Sequence, residues 1–248
     1  MSFYYLSRGY RVRVSKHSKY DHWQGGKAYH QGAKCKGCRL PLLLLWDINC
    51  QDPRFTDRSE RPFGQLKRLP LYYCWRCAGN FSYQVIVPEK IKIIESNCHY
   101  QGDDFPYTHF PSQFDRCPIV LEPIPLEVYK LLVIAQELEA NSLSTKEKRK
   151  VTNWQGRNDR HFELWRHQFG GLPYLIQGHE IIRCPNKNCK RSGNWIKELA
   201  VIHNDPYSGL PMIETLEEAR QKGANHWVQV VFHICSQCLT IYVSNRCD

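Results

Sequence analysis

The apolar residues of this chain fall into short runs, most of which have the length and composition of β-strands. Residues 40–48 are apolar almost throughout, without period-two alternation, which is typical of a strand that is buried on both faces. Tyr10–Val14 alternates apolar and basic residues like a half-buried strand, and residues 90–95 continue the strand pattern. Residues 52–67 are polar, contain two prolines and a glycine, and predict a loop.

A helical period appears in the middle of the chain. Residues 125–140 carry a mostly apolar face, and Pro125 suits a first helical turn. The predicted face consists of Leu126, Tyr129, Leu132, Val133, Gln136 and Leu138. Ser144 and Glu147 have the spacing of a capping box and predict a new helix start. Residues 215–222, followed by Gly223, predict a further short helix.

The chain also repeats itself, which predicts an internal duplication. A double glycine, at residues 25–26 and again at 170–171, precedes a pair of cysteines, an apolar strand and an Asp-Pro turn. The turns are Asp52-Pro53 and Asp205-Pro206. A second apolar strand, a second pair of cysteines and a last strand follow in both copies. Each unit is therefore expected to run as knuckle, strand, turn, strand, knuckle, strand.

The paired cysteines carry the chemistry of the sequence. Two close thiols, a long connection and two more thiols form the pattern of a tetrahedral four-cysteine zinc site. The predicted ligands of two structural Zn²⁺ ions are Cys35, Cys38, Cys74 and Cys77 for one ion, and Cys184, Cys189, Cys235 and Cys238 for the other. Two alternatives stay open: a thioredoxin-like redox pair in the first unit, and metal sites shared between the repeats by strand exchange. Four cysteines remain, and buried inert thiols are the expected state of Cys50, Cys98, Cys117 and Cys247.

Composition narrows the class of protein and of partner. The apolar share of 42% and charged share of 23% are ordinary for a soluble globular protein of 248 residues. No signal-peptide-like apolar stretch opens the sequence and no run is long enough to span a bilayer, so we expect a cytoplasmic protein with reduced thiols. The net charge of +10 favours a nucleic acid or an acidic protein partner. The densest basic stretch, residues 146–150 followed by Arg157 and Arg160, is either a solvated linker or a binding patch.

The fold class expected from these patterns is α+β and predominantly β. It comprises two zinc-ribbon-like β units related by duplication, with a helical and irregular insert between them. The predicted boundaries are 1–95 for the first β unit, 96–160 for the insert, and 161–248 for the second β unit. Residues 96–120, rich in proline and aromatic side chains, are expected to be irregular and to pack over the edge of the sheet.

The sequence contains few patterns that are typical of catalytic sites. The sequence has no Gly-x-Ser-x-Gly, no phosphate-binding glycine loop and no His-Glu-x-x-His. His161, His167 and His179, near Asp159 and Glu163, could supply an acid–base pair, but polar residues leading into the second double glycine explain them as well. We therefore expect no enzymatic activity.

Residues 167–177, His-Gln-Phe-Gly-Gly-Leu-Pro-Tyr-Leu-Ile-Gln, resemble the GG-x-P-x-x-x-Q signature of bacterial YwqG-like proteins. There too the signature precedes a cysteine knuckle and an apolar strand. The eukaryotic programmed-cell-death-protein-2 relatives, chaperones of a ribosomal protein, share a related pattern. The resemblance covers residues 165–248 best and 25–88 in part, where Gly25-Gly26-Lys27-Ala28 lacks the proline. It implies a mostly-β duplicated fold without established catalysis and, by genomic association, an immunity protein that neutralises a toxin.

The expected function is accordingly a non-enzymatic, zinc-stabilised module that binds another protein, foremost a bacterial toxin domain with an acidic surface. Two alternatives remain: a nucleic-acid-binding zinc-ribbon protein, in which aromatic residues such as Trp75 would be exposed, and a chaperone for a ribosomal-type protein.

Overall fold

The computed structural model describes residues 4–55, 62–77, 79–86, 89–98, 113–138, 142–155, 167–173, 175, 177–190, 193, 195–203 and 228–247. Most of its regular structure is β, as the sequence predicts. The strands are β1 Tyr10–Val14, β2 His22–Gln24, β3 Leu43–Asn49, β4 Arg68–Tyr73, β5 Phe81–Ile86, β6 Lys90–Ser96, β7 Cys117–Pro123, β8 Gln168–Phe169, β9 Lys197–His203, β10 Val228–Ile234 and β11 Thr240–Cys247. The helices are α1 Leu126–Leu138, α2 Thr145–Gln155 and a short 3₁₀ turn, Pro53–Phe55.

All eleven strands belong to one antiparallel sheet with a pseudo-twofold strand order. The order is β4-β3-β2-β7-β1-β8-β9-β10-β11-β5-β6. Counted outwards from the centre, each strand on one side has a counterpart on the other: β7 matches β1, β2 matches β8, β3 matches β9 and β4 matches β10. The pseudo-twofold axis therefore passes between β7 and β1, and the predicted duplication is visible in the pairing of the strands.

Local details repeat along with the strand order. The ladder between β3 and β4 skips Leu45, and the ladder between β9 and β10 skips Leu199, so each unit has a bulge at the same place. The first glycine of each pair donates its N–H to the skipped residue, from Gly25 to Leu45 O at 3.0 Å and from Gly170 to Leu199 O at 2.7 Å. Such agreement in register is what a duplicated sequence produces.

The first glycine of each pair is explained by the backbone that leads into the neighbouring strand, β7 in the first unit and β1 in the second. At Gly25 φ is +66°, and a Cβ would lie 2.3 Å from the carbonyl oxygen of Asp115. At Gly170 φ is +68°, and a Cβ would lie 2.5 Å from the carbonyl oxygen of Arg8. Only glycine tolerates both the left-handed backbone and this close approach.

The two units are interlocked by exchanged strands. β1 precedes the first unit in sequence but pairs with β8 of the second, whereas β7 precedes the second unit but pairs with β2 of the first. The prediction that residues 96–120 are irregular is therefore wrong at residues 117–120, which begin β7 in the middle of the sheet. Pro118 and Pro123 lower the strand propensity of this segment, and pairing with β1 and β2 on both sides overrides that local preference.

The sheet curls so that β5 returns to β4, although the two strands stand near opposite ends of the order. β5 pairs with β11 and β6. The buried hydroxyl of Tyr83 in β5 donates to Pro70 O at 2.7 Å and accepts from Tyr72 N–H at 3.0 Å, both in β4. Pro70 has no N–H to offer a further strand, which suits an edge position. One side chain thus satisfies backbone groups at the free edge of β4.

Replacement of Tyr83 by phenylalanine should destabilise the protein by about 1–3 kcal/mol, because a buried donor and a buried acceptor lose their partner. Chemical denaturation of the purified chain measures the effect. Tyr20→Phe is the matched control, since the Tyr20 hydroxyl makes no hydrogen bond with the described residues, and it should change stability by less than about 0.5 kcal/mol. Equal effects of both substitutions would contradict the role of the Tyr83 hydroxyl.

The predicted central helix is confirmed as α1, with a partly different buried face: Leu132 is buried and Tyr129 packs beside it as predicted. Val128, Leu132 and Ala135 are buried against α2, whereas Leu126 is 66% exposed. The basic residues 146–150 are helical rather than a linker, because they lie in α2. Its predicted capping box is present: Ser144 N–H donates to Glu147 Oε2 at 2.9 Å, and Glu147 N–H donates to Ser144 Oγ at 3.4 Å. The predicted helix at residues 215–222 and the turn at Asp205-Pro206 lie outside the described residues.

No helix within the described ranges is long and apolar enough to cross a membrane.

Candidate metal centres

The structure brings the first four predicted ligands together at one end of the first unit. Cys35 and Cys38 lie between β2 and β3, and Cys74 and Cys77 lie between β4 and β5. Their four sulfur atoms are all within 4.8 Å of one another. Cys35 Sγ is 3.6 Å from Cys77 Sγ, and Cys38 Sγ is 3.7 Å from Cys74 Sγ.

The second four ligands form an equivalent group. Cys184 and Cys189 precede β9, and Cys235 and Cys238 connect β10 to β11. These sulfur atoms also lie within 4.8 Å of one another. Cys184 Sγ is 3.7 Å from Cys238 Sγ, and Cys189 Sγ is 3.8 Å from Cys235 Sγ. Each group therefore draws all its sulfurs from one unit, and neither group is shared between the units.

These separations match a tetrahedral metal site. Four sulfurs at 2.3 Å from a central Zn²⁺ lie about 3.8 Å from one another, by the geometry of a tetrahedron. A disulfide would need an S–S distance of about 2.05 Å, and the described cysteines are all free of disulfides. Among the described residues, no histidine or carboxylate joins either group. A shell of four thiolates is closed, so the donor set fits a structural ion.

Two of the Cys-x-x-Cys knuckles have the same backbone turn. Arg39, four residues after Cys35, has φ of +65°, and Leu239, four residues after Cys235, has φ of +56°. Arg39 N–H donates to Cys35 O at 3.1 Å, and Leu239 N–H donates to Cys235 O at 2.9 Å. These tight turns aim both thiols of a Cys-x-x-Cys pair towards one point.

The longer spacing between Cys184 and Cys189 is held by Asn186, which the sequence reading missed. The buried Asn186 side chain accepts from Asn188 N–H at 3.1 Å and donates to Thr240 Oγ1 at 3.2 Å. Cys189 N–H donates to Asn186 O at 2.9 Å. Asparagine is a known turn-forming residue, and this property was the signal available in the sequence.

Electrostatics singles out one thiol in each group: the pKa of Cys35 and of Cys238 is lowered, whereas burial and the neighbouring sulfurs raise the pKa of Cys74, Cys77 and Cys184. Hydrogen bonds from Cys74 and then from Cys98 lower the pKa of Cys35, while the bond from Cys35 raises the pKa of Cys74. Burial acts to raise the pKa of Cys238, but hydrogen bonds with Thr240, whose Oγ1 lies 3.1 Å from the sulfur, and with Cys189 and Cys235 together lower it. The ionised form of a thiol is the form that binds a metal.

The remaining described cysteines belong to neither group of four. Cys98 is buried next to the first group, and its thiol lies 3.7 Å from Gly79 O. Cys50 and Cys117 are half-buried, and burial raises the pKa of both thiols. The side chain of Cys247 lies outside the described residues. The thiols of Cys50, Cys98 and Cys117 therefore remain protonated at neutral pH.

Trp75 and His167 are packed and hydrogen-bonded within the fold. Trp75 is buried, with its ring edge-on to Tyr73 at 4.7 Å, so it offers no exposed face for a base. His167 Nδ1 accepts from His203 N–H at 3.2 Å, as His22 Nδ1 accepts from Asn49 N–H at 3.1 Å at the equivalent place in the first unit.

His179 lies in a different environment from His167. Its Nδ1 lies 2.7 Å from Glu198 Oε1, and Glu198 is buried. His161, Asp159 and Glu163 lie outside the described residues. The described part of the proposed acid–base cluster is therefore divided between two separate environments, around His167 and around His179.

No family model matches the chain, and comparisons with curated proteins and with solved structures find no significant similarity.

Proposed function

We propose that this chain is a cytoplasmic, non-enzymatic protein-binding module that is stabilised by two zinc ions. The observation that carries the zinc assignment is the spacing of 3.6–3.8 Å between opposite sulfurs in both groups of four. Cys35, Cys38, Cys74 and Cys77 would hold one ion, and the equivalent cysteines of the second unit would hold the other. A bound ion would join two loops of the sheet in each unit and stabilise the fold.

The closed donor sets support a structural role over catalysis. A catalytic zinc keeps an open position for water and commonly uses histidine or carboxylate ligands. Here three of four sulfur ligands in each group are buried. The site chemistry therefore favours a scaffold that presents a binding surface.

The identity of the partner rests on the resemblance to YwqG-like proteins, and we propose an immunity protein that occludes a toxin domain with an acidic surface. The net charge of +10 is complementary to such a surface. Nucleic-acid binding is the second candidate, because Lys146, Arg149 and Lys150 are exposed along one side of α2.

A tagged full-length chain, recovered from its native cell with nuclease treatment, tests the proposal. We expect a stoichiometric protein partner and, by elemental analysis, about two zinc ions per chain, one for each group of four thiolates. The identity of the partner separates a toxin from a ribosomal-type client. Recovery of nucleic acid alone, lost on nuclease treatment, would favour the second candidate. Absence of zinc from carefully prepared protein would contradict the metal assignment.

A further inference from the structure

A cavity of about 480 Å³ lies beside the double glycine of the first unit. We call it the Gly-Gly pocket. Its walls include Lys27, Tyr29, Leu44, Asp47, Arg68 and Arg116. The volume is within the range of about 300–1,000 Å³ that is usual for ligand sites.

The pseudo-twofold relation identifies the equivalent position in the second unit, and the chain itself covers that position. A Cβ on Gly171 would lie 3.1 Å from Cε2 of Tyr129, a residue of α1. The next residue, Leu172, donates its N–H to the Tyr129 hydroxyl at 2.6 Å. The Tyr129 side chain thus packs on the second double glycine and accepts a hydrogen bond from Leu172 N–H, the residue that follows it.

The first unit has the same turn with a different neighbour: a Cβ on Gly26 would lie 3.4–3.5 Å from side-chain carbons of Arg116, where the second unit has the Tyr129 ring. Counted from the double glycine, Lys27 corresponds to Leu172. In the part of the chain that the structure describes, Lys27 N–H has no hydrogen-bond acceptor. Lys27, which lines the Gly-Gly pocket, therefore has a backbone donor that no described residue uses, whereas the corresponding donor of Leu172 is bonded to a phenol oxygen.

The charges of the pocket define what could enter it. Arg68 is neutralised by two carboxylates, with its Nη2 2.9 Å from Asp47 Oδ2 and its Nη1 2.8 Å from Asp21 Oδ2. Arg116 and Lys27 are exposed and form no ion pair with the described residues. The guanidinium of Arg116 is held 4.1 Å from the centre of the Trp23 ring. Two cations at the rim thus remain available to an anion.

We propose that the Gly-Gly pocket binds a segment of the protein partner that carries an aspartate or glutamate. The carboxylate would accept from Lys27 N–H and pair with Arg116, and the apolar part of the segment would pack on Leu44 and on the ring of Tyr29. The carboxylate would thus be the acceptor that the Tyr129 hydroxyl provides in the second unit. This inference rests on the proposed protein-binding function and assigns that function to one site.

Charge reversal at the rim tests the site in the full-length protein. Arg116→Glu should weaken capture of the partner by about tenfold or more, because an attractive charge becomes repulsive. Lys190→Glu makes the same charge change at an exposed residue of the second unit and should leave capture unchanged. Both variants should keep about two zinc ions per chain and the thermal stability of the parent, which verifies that they fold.

A photo-crosslinker locates the contact directly. p-Benzoylphenylalanine at position 27 should form a crosslink to an Asp- or Glu-containing peptide of the partner, whereas the same group at position 190 should not. Undiminished capture by Arg116→Glu, or a crosslinked segment without acidic residues, would overturn the pocket assignment while leaving the protein-binding function intact. Failure of the function itself looks different: the unmodified chain would then recover no protein partner, and the pocket assignment would fall with it.

Discussion

Cys74→Ser should reduce the zinc content from about two ions to about one per chain and remove most of the thermal stability of the protein. Cys74 is buried in the first group, with its sulfur 3.7 Å from that of Cys38. Apparent zinc-binding energies in small domains are about 10–16 kcal/mol, whereas whole domains are stable by only about 5–15 kcal/mol. We therefore expect a loss of about 5 kcal/mol or more.

Elemental analysis and thermal unfolding followed by circular dichroism measure the two effects together. Cys117→Ser is the matched control, because Cys117 is a half-buried thiol in β7 that belongs to neither group. It should retain both ions and lose no more than about 1–2 kcal/mol. Two ions per chain in Cys74→Ser would show that the first group has been assigned wrongly.

Asp52→Ala should destabilise the protein by about 3–5 kcal/mol, because it removes the acceptor at the centre of a buried ionic cluster. The Asp52 carboxylate is inaccessible to solvent and accepts from His22 Nε2 at 2.9 Å and from Arg54 Nε at 2.9 Å. Arg54 also donates to Leu121 O of β7 at 2.6 Å. The substitution would leave a mostly buried guanidinium without its anion and remove the bond between the Asp-Pro turn and His22 of β2.

The ionisation of Asp52 fixes the pH range in which this contribution is present. Burial acts to raise the pKa of Asp52, but hydrogen bonds from His22 and Arg54 outweigh it and lower the pKa from 3.8 to about 2. Burial also lowers the pKa of His22, which is therefore neutral at pH 7 and donates from Nε2. The contribution of Asp52 is complete above about pH 4 and fades as the pH falls towards about 2.

Urea denaturation at pH 7 provides the measurement. Glu127→Gln removes a carboxylate from an exposed ion pair with Lys150 and should cause no resolvable change, because solvent screens such pairs. Asp52→Asn keeps the shape of the side chain but not its charge. Its stability should lie between that of Asp52→Ala and that of Glu127→Gln. If Asp52→Ala were as stable as Glu127→Gln, the cluster would contribute nothing to the fold.

The metal ligands could be predicted from the sequence because their spacing is a local property. A short gap between two cysteines fixes a knuckle whatever the rest of the chain does, so Cys35, Cys38, Cys74 and Cys77 were grouped as the structure groups them. The same holds for α1 and for the capping box at Ser144. The repeat of the strands could also be predicted, because the apolar runs follow one another in the same order in both units.

Long-range pairing could not be predicted in this way. Nothing local in β7 shows that its two neighbours are β1 and β2, and its prolines indicate the opposite of a central strand. The buried face of α1 is predicted only in part for the same reason, since Leu126 and Val128 are both apolar and only the position of α2 decides between them. The Gly-Gly pocket depends on a comparison between the units, which requires their three-dimensional equivalence.

The pairing of β5 with β11 has a consequence for the order in which the protein can be made. A ribosome releases Phe81–Ile86 long before Thr240–Cys247, yet the two segments are neighbours in the sheet. The hairpin of β5 and β6 must therefore wait, with one edge unpaired, while more than half of the chain is still being translated. An emerging polypeptide with such an edge is exposed to aggregation, so the nascent first unit would benefit from a chaperone until the closing strand arrives.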